Sequence, residues 1–257
     1  KAGIGFYPLF IPNMKIFFIE VLYRPLFNAL VFLYNTAAFH DLGLAIILLT
    51  LLIRFILYPL FYKSFKNQLV MQRLQPHIKR IQETHKDDKQ QQATKLMELY
   101  REHKFNPFSG IFLLILQLPV LIALYQVFLN DFTSDAVLKS LYSFIVPVSS
   151  IQASFFGLID LAKPSMIVLV LAVVAQFFQA KAALPKPSAS TPASAMSKQM
   201  LFIGPVITFF ILLRLPAAIG FYWVITSLFS IFQQFIVTRS LDLKPHGNLS
   251  GSSQESR

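Results

Sequence analysis

Five apolar runs of bilayer-spanning length are the strongest constraint on how this chain folds. A helix needs about 20 mainly apolar residues to cross the hydrocarbon core of a membrane. The runs lie at 43–62, 108–129, 165–183, 199–215 and 217–238, and none of them contains Asp or Glu. In the whole chain 55% of the 257 residues are hydrophobic and 14% are charged. We therefore predict an all-α integral membrane protein with a bundle of five transmembrane helices.

The residue types that carry most enzyme chemistry are missing from these runs. The chain has no cysteine, which excludes disulfides, thiolate metal sites and a cysteine nucleophile within it. All five histidines lie outside the runs, and Ser227 has no base near it in the sequence. With no carboxylate pair and no glycine-rich phosphate loop either, we expect no catalytic site, no metal site and no cofactor.

Basic residues are distributed unevenly between the segments that connect the runs. The segment 63–105 carries ten Lys and Arg residues, and 184–198 carries two lysines and no acid. The segment 130–164 instead carries two lysines against three aspartates. Because cytoplasmic loops are enriched in Lys and Arg, we place 63–105, 184–198 and the tail 239–257 in the cytosol. The segment 1–42 and the loop 130–164 then lie outside.

A sixth apolar segment, at 14–36, admits two interpretations. It is long enough to span, but Lys15, Glu20, Arg24, Pro25, Asn28 and Asn35 interrupt it. We prefer an amphipathic helix that lies in the membrane interface. A sixth span is the alternative, and it would move the N-terminus to the cytosol while leaving the three basic segments there.

The cytosolic segments differ in their patterns. Apolar residues recur at helical spacing on both sides of the polar stretch "THKDDKQ" at 84–90, which predicts a helical hairpin over 63–105. Pro76 is expected to kink its first arm. The segment 184–198, "LPKPSASTPASAMSK", has the composition of a flexible linker, and the tail 239–257 has that of a disordered segment.

One arginine, Arg54, interrupts the first run, "LTLLIRFILYPL". A charge in hydrocarbon costs roughly 2.5–3.5 kcal/mol on insertion scales, and no run offers a carboxylate partner. Either the side chain snorkels over about 12 Å to the interface, or it faces water in a cavity.

Polar residues in the other runs favour the cavity. They are Gln117, Gln176, Gln179, Thr208, Tyr222, Trp223, Thr226, Ser227, Gln233 and Gln234. Any one of them could simply hydrogen-bond between helices, and Trp223 could anchor the helix at the interface. Together with Arg54 they predict a hydrophilic groove open to the cytosol. A fixed positive charge there would attract an acidic group.

These residues resemble the YidC/Oxa/Alb family of membrane protein insertases. The similarity starts at "LYRPLFNALVFLYN" (22–35) and covers "LGLAIILLTLLIRFILYPLFYKSFKNQLVMQRLQPHIKRIQE" (42–83). It continues through "GIFLLILQLPVLIALYQVF" (110–128), "FFGLIDLAKPS" (155–165) and "LPAAIGFYWVITSLFSIFQQ" (215–234). The arginine within a span, the basic hairpin, "DLAKPS" and "YW" together form a specific combination.

The resemblance implies a five-helix core with a groove open to the cytosol and to lipid. Arg54 would receive hydrophilic parts of a nascent membrane protein, beside Trp223 and either Gln176 or Gln179. The hairpin 63–105 would contact signal-recognition and ribosome machinery, with a Sec-type translocon as a further partner and no specific binding to nucleic acid. Neither a large folded domain nor a lipid-anchor cysteine is evident in this sequence. We therefore expect a short bacterial member in the plasma membrane, or an organelle member.

Two other classes compete with an insertase. A small-anion transporter would use Arg54 as its binding charge, but repeats and broken helices, typical of transporters, are not evident in the sequence. A passive assembly protein would let Arg54 snorkel. Neither class needs the long basic hairpin.

Overall fold

The computed structural model describes residues 16–106, 109–129, 139–148, 151–183 and 192–242. Side chains at 109–116, 129, 192–200 and 241–242 are outside this description. So are the first fifteen residues, the predicted linker over 184–191, and the predicted disordered tail beyond 242. The described chain is helical, apart from turns, irregular loop and two short strands.

The first helical segment runs over Ile16–Thr36. It contains a π-helical turn, Ile19–Tyr23, followed by helix α1, Arg24–Thr36. Pro25 lies in the first turn of α1, where its missing N–H has no helical partner to lose. Phe27, Leu30 and Tyr34 are buried on one face of α1, which therefore packs firmly against the bundle.

Helix α2, Leu42–Ile56, begins at Asp41, whose carboxylate accepts a hydrogen bond from the Leu44 backbone N–H at 2.8 Å. Helix α3, Tyr58–Thr84, follows after one residue, and the two helices are bent by 69°. The span predicted over 43–62 therefore consists of two helices with a bend at Leu57, not of one straight helix. Pro59 explains the break, because it lacks an N–H and its ring clashes with the carbonyl four residues earlier.

Helices α3 and α4, Lys89–Glu102, form a helical hairpin with a turn at 85–88. Leu74, Ile78 and Leu99 are buried in the seam between its two arms. Asp88 caps α4 by accepting a hydrogen bond from the Gln91 N–H at 2.9 Å. Pro76 lies inside α3 without ending it.

Four further helices complete the bundle: α5 (Ser109–Leu129), α6 (Met166–Ala183), α7 (Pro192–Leu212) and α8 (Ala217–Asp242). Helix α7 begins within the predicted linker 184–198. This prediction misjudged the segment, because Pro is favourable in the first turn of a helix and good helix formers follow it. Helix α8 likewise continues past its predicted end at 238 to Asp242.

By length and composition, three described helices could each cross a membrane: Ile16–Thr36, Met166–Ala183 and Ala217–Ser240. The bent pair α2–α3 passes the same test as one broken span. The apolar helices Gln117–Phe128 and Leu201–Leu212 are shorter within the described residues. The described chain thus holds three or four candidate spans.

An irregular loop, described at 139–148 and 151–165, contacts α1 and the start of α8 on one side of the bundle. It contains two antiparallel strands, β1 (Ser154–Phe155) and β2 (Ile159–Asp160). At its far end the Lys163 and Leu161 carbonyls accept hydrogen bonds from the Ala217 and Ala218 N–H groups, at 2.9 and 3.0 Å. The loop is therefore fixed to the start of α8.

The β-hairpin packs against the start of α2 through Gly43. A Cβ at position 43 would lie 2.7 Å from the Cβ of Phe155, closer than side chains approach one another. We predict that Gly43→Ala destabilises the fold by about 1–3 kcal/mol, because the added methyl overpacks this contact. A lowered midpoint of thermal unfolding in detergent would show it.

Gly204→Ala is the matched control. Its Cβ would meet the flexible amide end of Gln176 at 3.3 Å, and Ala has the better helix propensity by about 0.8–1.0 kcal/mol. Its midpoint should equal or exceed that of the wild type. Equal midpoints for both variants would contradict the packing described at Gly43.

Candidate functional site

Arg54 lies in the last turn of α2, just before the bend to α3. Its residue is only 4% exposed, and none of the described acidic side chains forms an ion pair with it. The guanidinium carbon lies 4.1 Å from the centroid of the Phe61 ring. A cation over an aromatic face is stabilised by the ring quadrupole. Arg54 Nη1 is nevertheless buried without a hydrogen-bond partner among the residues that the structure describes.

A cavity of about 360 Å³ lies beside this arginine. Five helices, α2, α3, α5, α6 and α8, supply polar or ionic groups to its wall, although they lie far apart in the sequence. The lining residues are Arg54, Phe61, Phe65, Gln68, Gln117, Leu121, Gln176, Gln179, Ala180, Ala183, Tyr222, Trp223, Thr226, Ser230 and Gln234.

Helix α8 contributes a polar stripe to the cavity wall. Tyr222, Thr226, Ser230 and Gln234 follow one another at intervals of four residues, a spacing that places side chains on one helix face. Gln117 of α5 donates a hydrogen bond to the Tyr222 hydroxyl. This bond joins α5 to α8 across the cavity wall.

Several polar atoms of the lining are buried without a hydrogen-bond partner among the described residues. They are Arg54 Nη1, Gln176 Oε1, Thr226 Oγ1 and Gln234 Oε1. Buried polar groups in proteins are almost always paired, with protein or with ordered water. A polar cavity of this size accommodates water beside these atoms. The wall is therefore suited to hydration.

Most of the predicted polar residues meet in this cavity, and Thr208, Ser227 and Gln233 do not. Arg54, Gln117, Tyr222, Trp223 and Thr226 all line it, and so do both Gln176 and Gln179, between which the sequence offered no choice. Thr208 is different. It is buried in α7 at 1% exposure and is not among the lining residues, so its place in a groove stays a prediction.

On α8, two more of the polar residues singled out from the sequence lie away from the cavity. Ser227 and Gln233 are buried but do not line it. The stripe at intervals of four residues distinguishes Ser230 and Gln234 from them. Ser230 was missed, although this spacing was available in the sequence.

Sequence reasoning also missed the contribution of α3. Phe61, Phe65 and Gln68 line the cavity, because the 69° bend turns α3 across the end of the bundle. Nearby, Gln72 Nε2 donates a hydrogen bond to the Ala183 carbonyl at the end of α6, at 2.7 Å. The spacing of Phe61, Phe65 and Gln68 at three and four residues was the available signal.

The chemistry of this arrangement favours binding over bond making. No group of three or more metal-ligating side chains occurs in the part of the chain that the structure describes. The lining holds one cation, four glutamines beyond Gln117 and hydroxyl groups, with no carboxylate or imidazole. Such a site can attract an anionic or polar group and hold it in a hydrated pocket.

Comparisons with known proteins agree with the sequence resemblance. The model of the family "60Kd inner membrane protein" matches residues 32–244. Proteins named membrane protein insertase YidC from Francisella tularensis subsp. novicida strain U112 and subsp. tularensis strain SCHU S4 are each 40% identical over 200 residues, 77% of this chain. This chain covers 32% of each relative, about a third of their length.

A solved structure, described as an active YidC insertase with the first transmembrane domain resolved, has the same fold over most of the chain. The TM-score is 0.57 and the sequence identity 28%, and the match covers 86% of this chain and 47% of the other. Since the family model also matches well over half of the sequence, this chain belongs to the 60Kd inner membrane protein family, that of the membrane protein insertase YidC.

Proposed function

We propose that this chain is a membrane protein insertase, which moves polar segments of nascent membrane proteins partway into the bilayer through the Arg54 cavity. One observation carries the proposal: a buried arginine, with no acidic partner in the described part of the chain, lines a polar cavity beside Gln117 and Tyr222. A passive bundle has no use for an unpaired buried charge, whereas an entering acidic segment would supply the missing partner.

The proposed topology has five spans, α2, α5, α6, α7 and α8, with α1 in the outer interface. The contacts of α1 support this placement. Asn28 Nδ2 and Asn35 Nδ2 donate hydrogen bonds to the carbonyls of Ser140 and Val146, at 2.9 Å each. Seven residues of helix cover about 10 Å. An irregular loop cannot lie exposed in the hydrocarbon core. Because α1 runs beside the loop over this length, α1 also belongs at the outer interface.

The proposed groove opens toward the hairpin, which we place in the cytosol. Support comes from the cavity lining, which reaches from Arg54 to Gln68 on α3 and to Ala183 at the end of α6. Gln68 lies beyond the bend, and charged side chains on either side of it along α3, Lys66 and Arg73, are exposed. A segment arriving from the cytosol would therefore meet α3 before Arg54.

In the first proposed step, the polar outer segment of a substrate enters the hydrated cavity. Moving polar groups into hydrocarbon without partners costs several kcal/mol each. Water and the amides of Gln176, Gln179 and Gln234 lower this cost by offering hydrogen bonds. Arg54 adds an attraction for acidic side chains, and this attraction is stronger there than in bulk water because the surroundings have a lower dielectric constant.

In the second step, the apolar helix of the substrate passes into lipid along α6 and α8. Helix α6 exposes Val170, Leu171 and Val174, and α8 exposes Leu228 and Phe232. Each Leu or Ile of the entering helix favours the membrane by roughly 0.3–0.6 kcal/mol. A negative charge that moves outward gains about 2.3 kcal/mol per 100 mV of membrane potential. Burial of the helix therefore drives release without nucleotide hydrolysis by this chain.

The hairpin is the proposed contact for targeting machinery and a Sec-type translocon. It carries ten Lys and Arg residues between 63 and 105, and those on its outer face, such as Lys63, Lys66 and Arg80, are exposed. Its arms hold together through their own buried seam, so it can present this charged surface away from the bundle. The proposed location is the bacterial plasma membrane.

The first test varies Arg54 and the charge of the substrate together. The purified chain is placed in liposomes with a single-span substrate that has either an acidic outer tail or the same tail with Asn and Gln. We predict that Arg54→Ala slows insertion of the acidic tail about tenfold, equal to about 1.4 kcal/mol, and that Arg54→Lys retains most of the rate. The insertion rate of the neutral tail should change far less when Arg54 is replaced. Protection of the tail from external protease measures insertion.

Arg214→Ala is the control, because Arg214 lies exposed in the turn between α7 and α8. It should insert both tails at the wild-type rate. Equal insertion of the acidic tail by wild type and Arg54→Ala would contradict the proposed role of Arg54. If no variant inserts either substrate but small anions cross the liposome membrane in an Arg54-dependent manner, the cavity is a transport site instead.

The second test uses Trp223, the single tryptophan of the chain, which lines the cavity. A hydrated cavity with one fixed cation should concentrate anions and exclude cations. We predict that iodide quenches Trp223 fluorescence at least about twofold more strongly than caesium does, and that Arg54→Ala removes this difference. Arg54→Lys should preserve it. Trp223 fluorescence that neither ion quenches would show a dry cavity and contradict the hydrated groove.

A further inference from the structure

The loop side of the bundle exposes large apolar side chains at its outermost points. Phe39 is 87% exposed, Phe156 is 64% exposed and Leu158 is 83% exposed. We call these three residues the outer apolar rim. They lie close together, because Asp41 Oδ2 accepts a hydrogen bond from the Phe156 N–H at 2.5 Å and Phe39 is two residues before Asp41.

The backbone holds the rim outward at a conformational cost. Phe39 and Phe156 have φ angles of 50° and 47°, and their neighbours His40 and Gly157 have 61° and 69°. A left-handed conformation is uncommon for a bulky residue without a special reason. The turn around Phe39 is held by the His40 N–H, which donates to the Tyr34 carbonyl at 3.2 Å. Two phenylalanines are thus kept in a strained backbone that leaves them exposed.

The position of the rim relative to the ends of the helices indicates which surroundings cover it. The β-hairpin that carries Phe156 and Leu158 packs on the start of α2 through Phe155 and on α8 through the Phe155–Phe221 ring contact, at 4.7 Å between centroids. The lipid-exposed side of α6 begins at Met166 and Ile167, which are exposed. The rim therefore lies where the spanning helices end, at the level of the boundary between headgroups and acyl chains.

The base of the hairpin is charged. Lys163 Nζ forms an ion pair with Asp160 Oδ2 at 2.9 Å. The hydrogen bond that Lys163 donates lowers the pKa of the Asp160 carboxyl below its usual value, so the pair stays ionised at neutral pH. A charged base under an apolar tip is the pattern of an interfacial anchor, in which the charges stay among the headgroups.

We propose that the outer apolar rim is a lipid-binding surface that inserts Phe39, Phe156 and Leu158 into the headgroup–acyl boundary of the leaflet opposite the helical hairpin. Its partner is phospholipid, recognised through apolar contact. Insertion hides apolar side chains that would otherwise remain in water. It also anchors the loop 139–165, and with it the outer ends of α2 and α8, at a fixed depth. This role is independent of substrate insertion.

Tryptophan placed on the rim tests the proposal. Phe156→Trp and Leu158→Trp are made separately in a Trp223→Phe chain and reconstituted into liposomes of phosphatidylcholine and phosphatidylglycerol with or without brominated acyl chains. We predict that brominated lipid lowers the emission of both about twofold, because bromine quenches only on close contact with the inserted ring. Met97→Trp on α4 is the matched control, since Met97 is an exposed apolar residue, at 64%, on the hairpin.

Each result has a defined meaning. Stronger quenching by brominated lipid at 156 and 158 than at 97 supports the rim as a lipid contact. Emission at 156 and 158 that iodide quenches as freely as it quenches a tryptophan in water, with no effect of bromine, would overturn it. Shielding from both quenchers would also overturn it, because a protein segment would then cover the rim. Two independent positions guard against one variant failing to fold.

Discussion

The burial of one positive charge, with no counter-charge among the described residues, is the constraint on which the rest of this structure depends. Arg54 is 4% exposed, and an isolated ion taken into a low-dielectric interior costs several kcal/mol after relaxation. The fold compensates in two ways. The Phe61 ring stacks against the guanidinium at 4.1 Å, and a polar cavity of about 360 Å³ lies beside it. Each of these contacts lowers the cost of burying the charge.

The bend at Leu57 makes this compensation possible. A straight helix would carry Phe61 about two turns further along the same axis as Arg54. The 69° change of direction, imposed by Pro59, instead brings α3 across the end of the bundle. Phe61 and Phe65 then pack against Val237 of α8, and Gln72 bonds to the end of α6. The helical hairpin is thereby joined mechanically to the helices that line the cavity.

This coupling gives the hairpin a structural reason for its position between α2 and α5. Its outer half has an independent seam of Leu74, Ile78 and Leu99, whereas its inner half forms one end of the cavity. A partner that moved the outer half would pull on Phe65, Gln68 and Gln72. Binding of targeting machinery and access to Arg54 would then be linked through a single helix, α3.

Much of this arrangement was predictable from local patterns in the sequence. Apolar runs mark α6 and α8 closely, because helix length and bilayer thickness are matched, and the hairpin follows from apolar spacing on both sides of a polar turn. The unpaired Arg54 and scattered glutamines predicted a polar cavity. The Gln117–Tyr222 hydrogen bond joins residues 105 positions apart, and no local pattern encodes which helices become neighbours.

The remaining errors have identifiable physical causes. The break in the first run was missed because Pro59 was counted as part of an apolar stretch, although proline removes a helical hydrogen bond. Thr208 was assigned to the groove from its polarity alone, but it does not line the cavity, because the packing of α7 on α6 sets which face of α7 it occupies. The close contact between Gly43 and Phe155 depends on the conformation of the loop around Phe155, and composition does not reveal that conformation.

The most direct test of the central claim is whether the polar tail of a substrate enters the cavity. Because the chain lacks cysteine, Gln117→Cys introduces a single thiol. An added thiol oxidant then links it to the one cysteine placed in the acidic tail of the substrate if the two meet. Val206→Cys, on the exposed face of α7, is the control. Our account predicts a disulfide at position 117 during insertion and little at 206. No disulfide at 117, or equal yields at both positions, would contradict it.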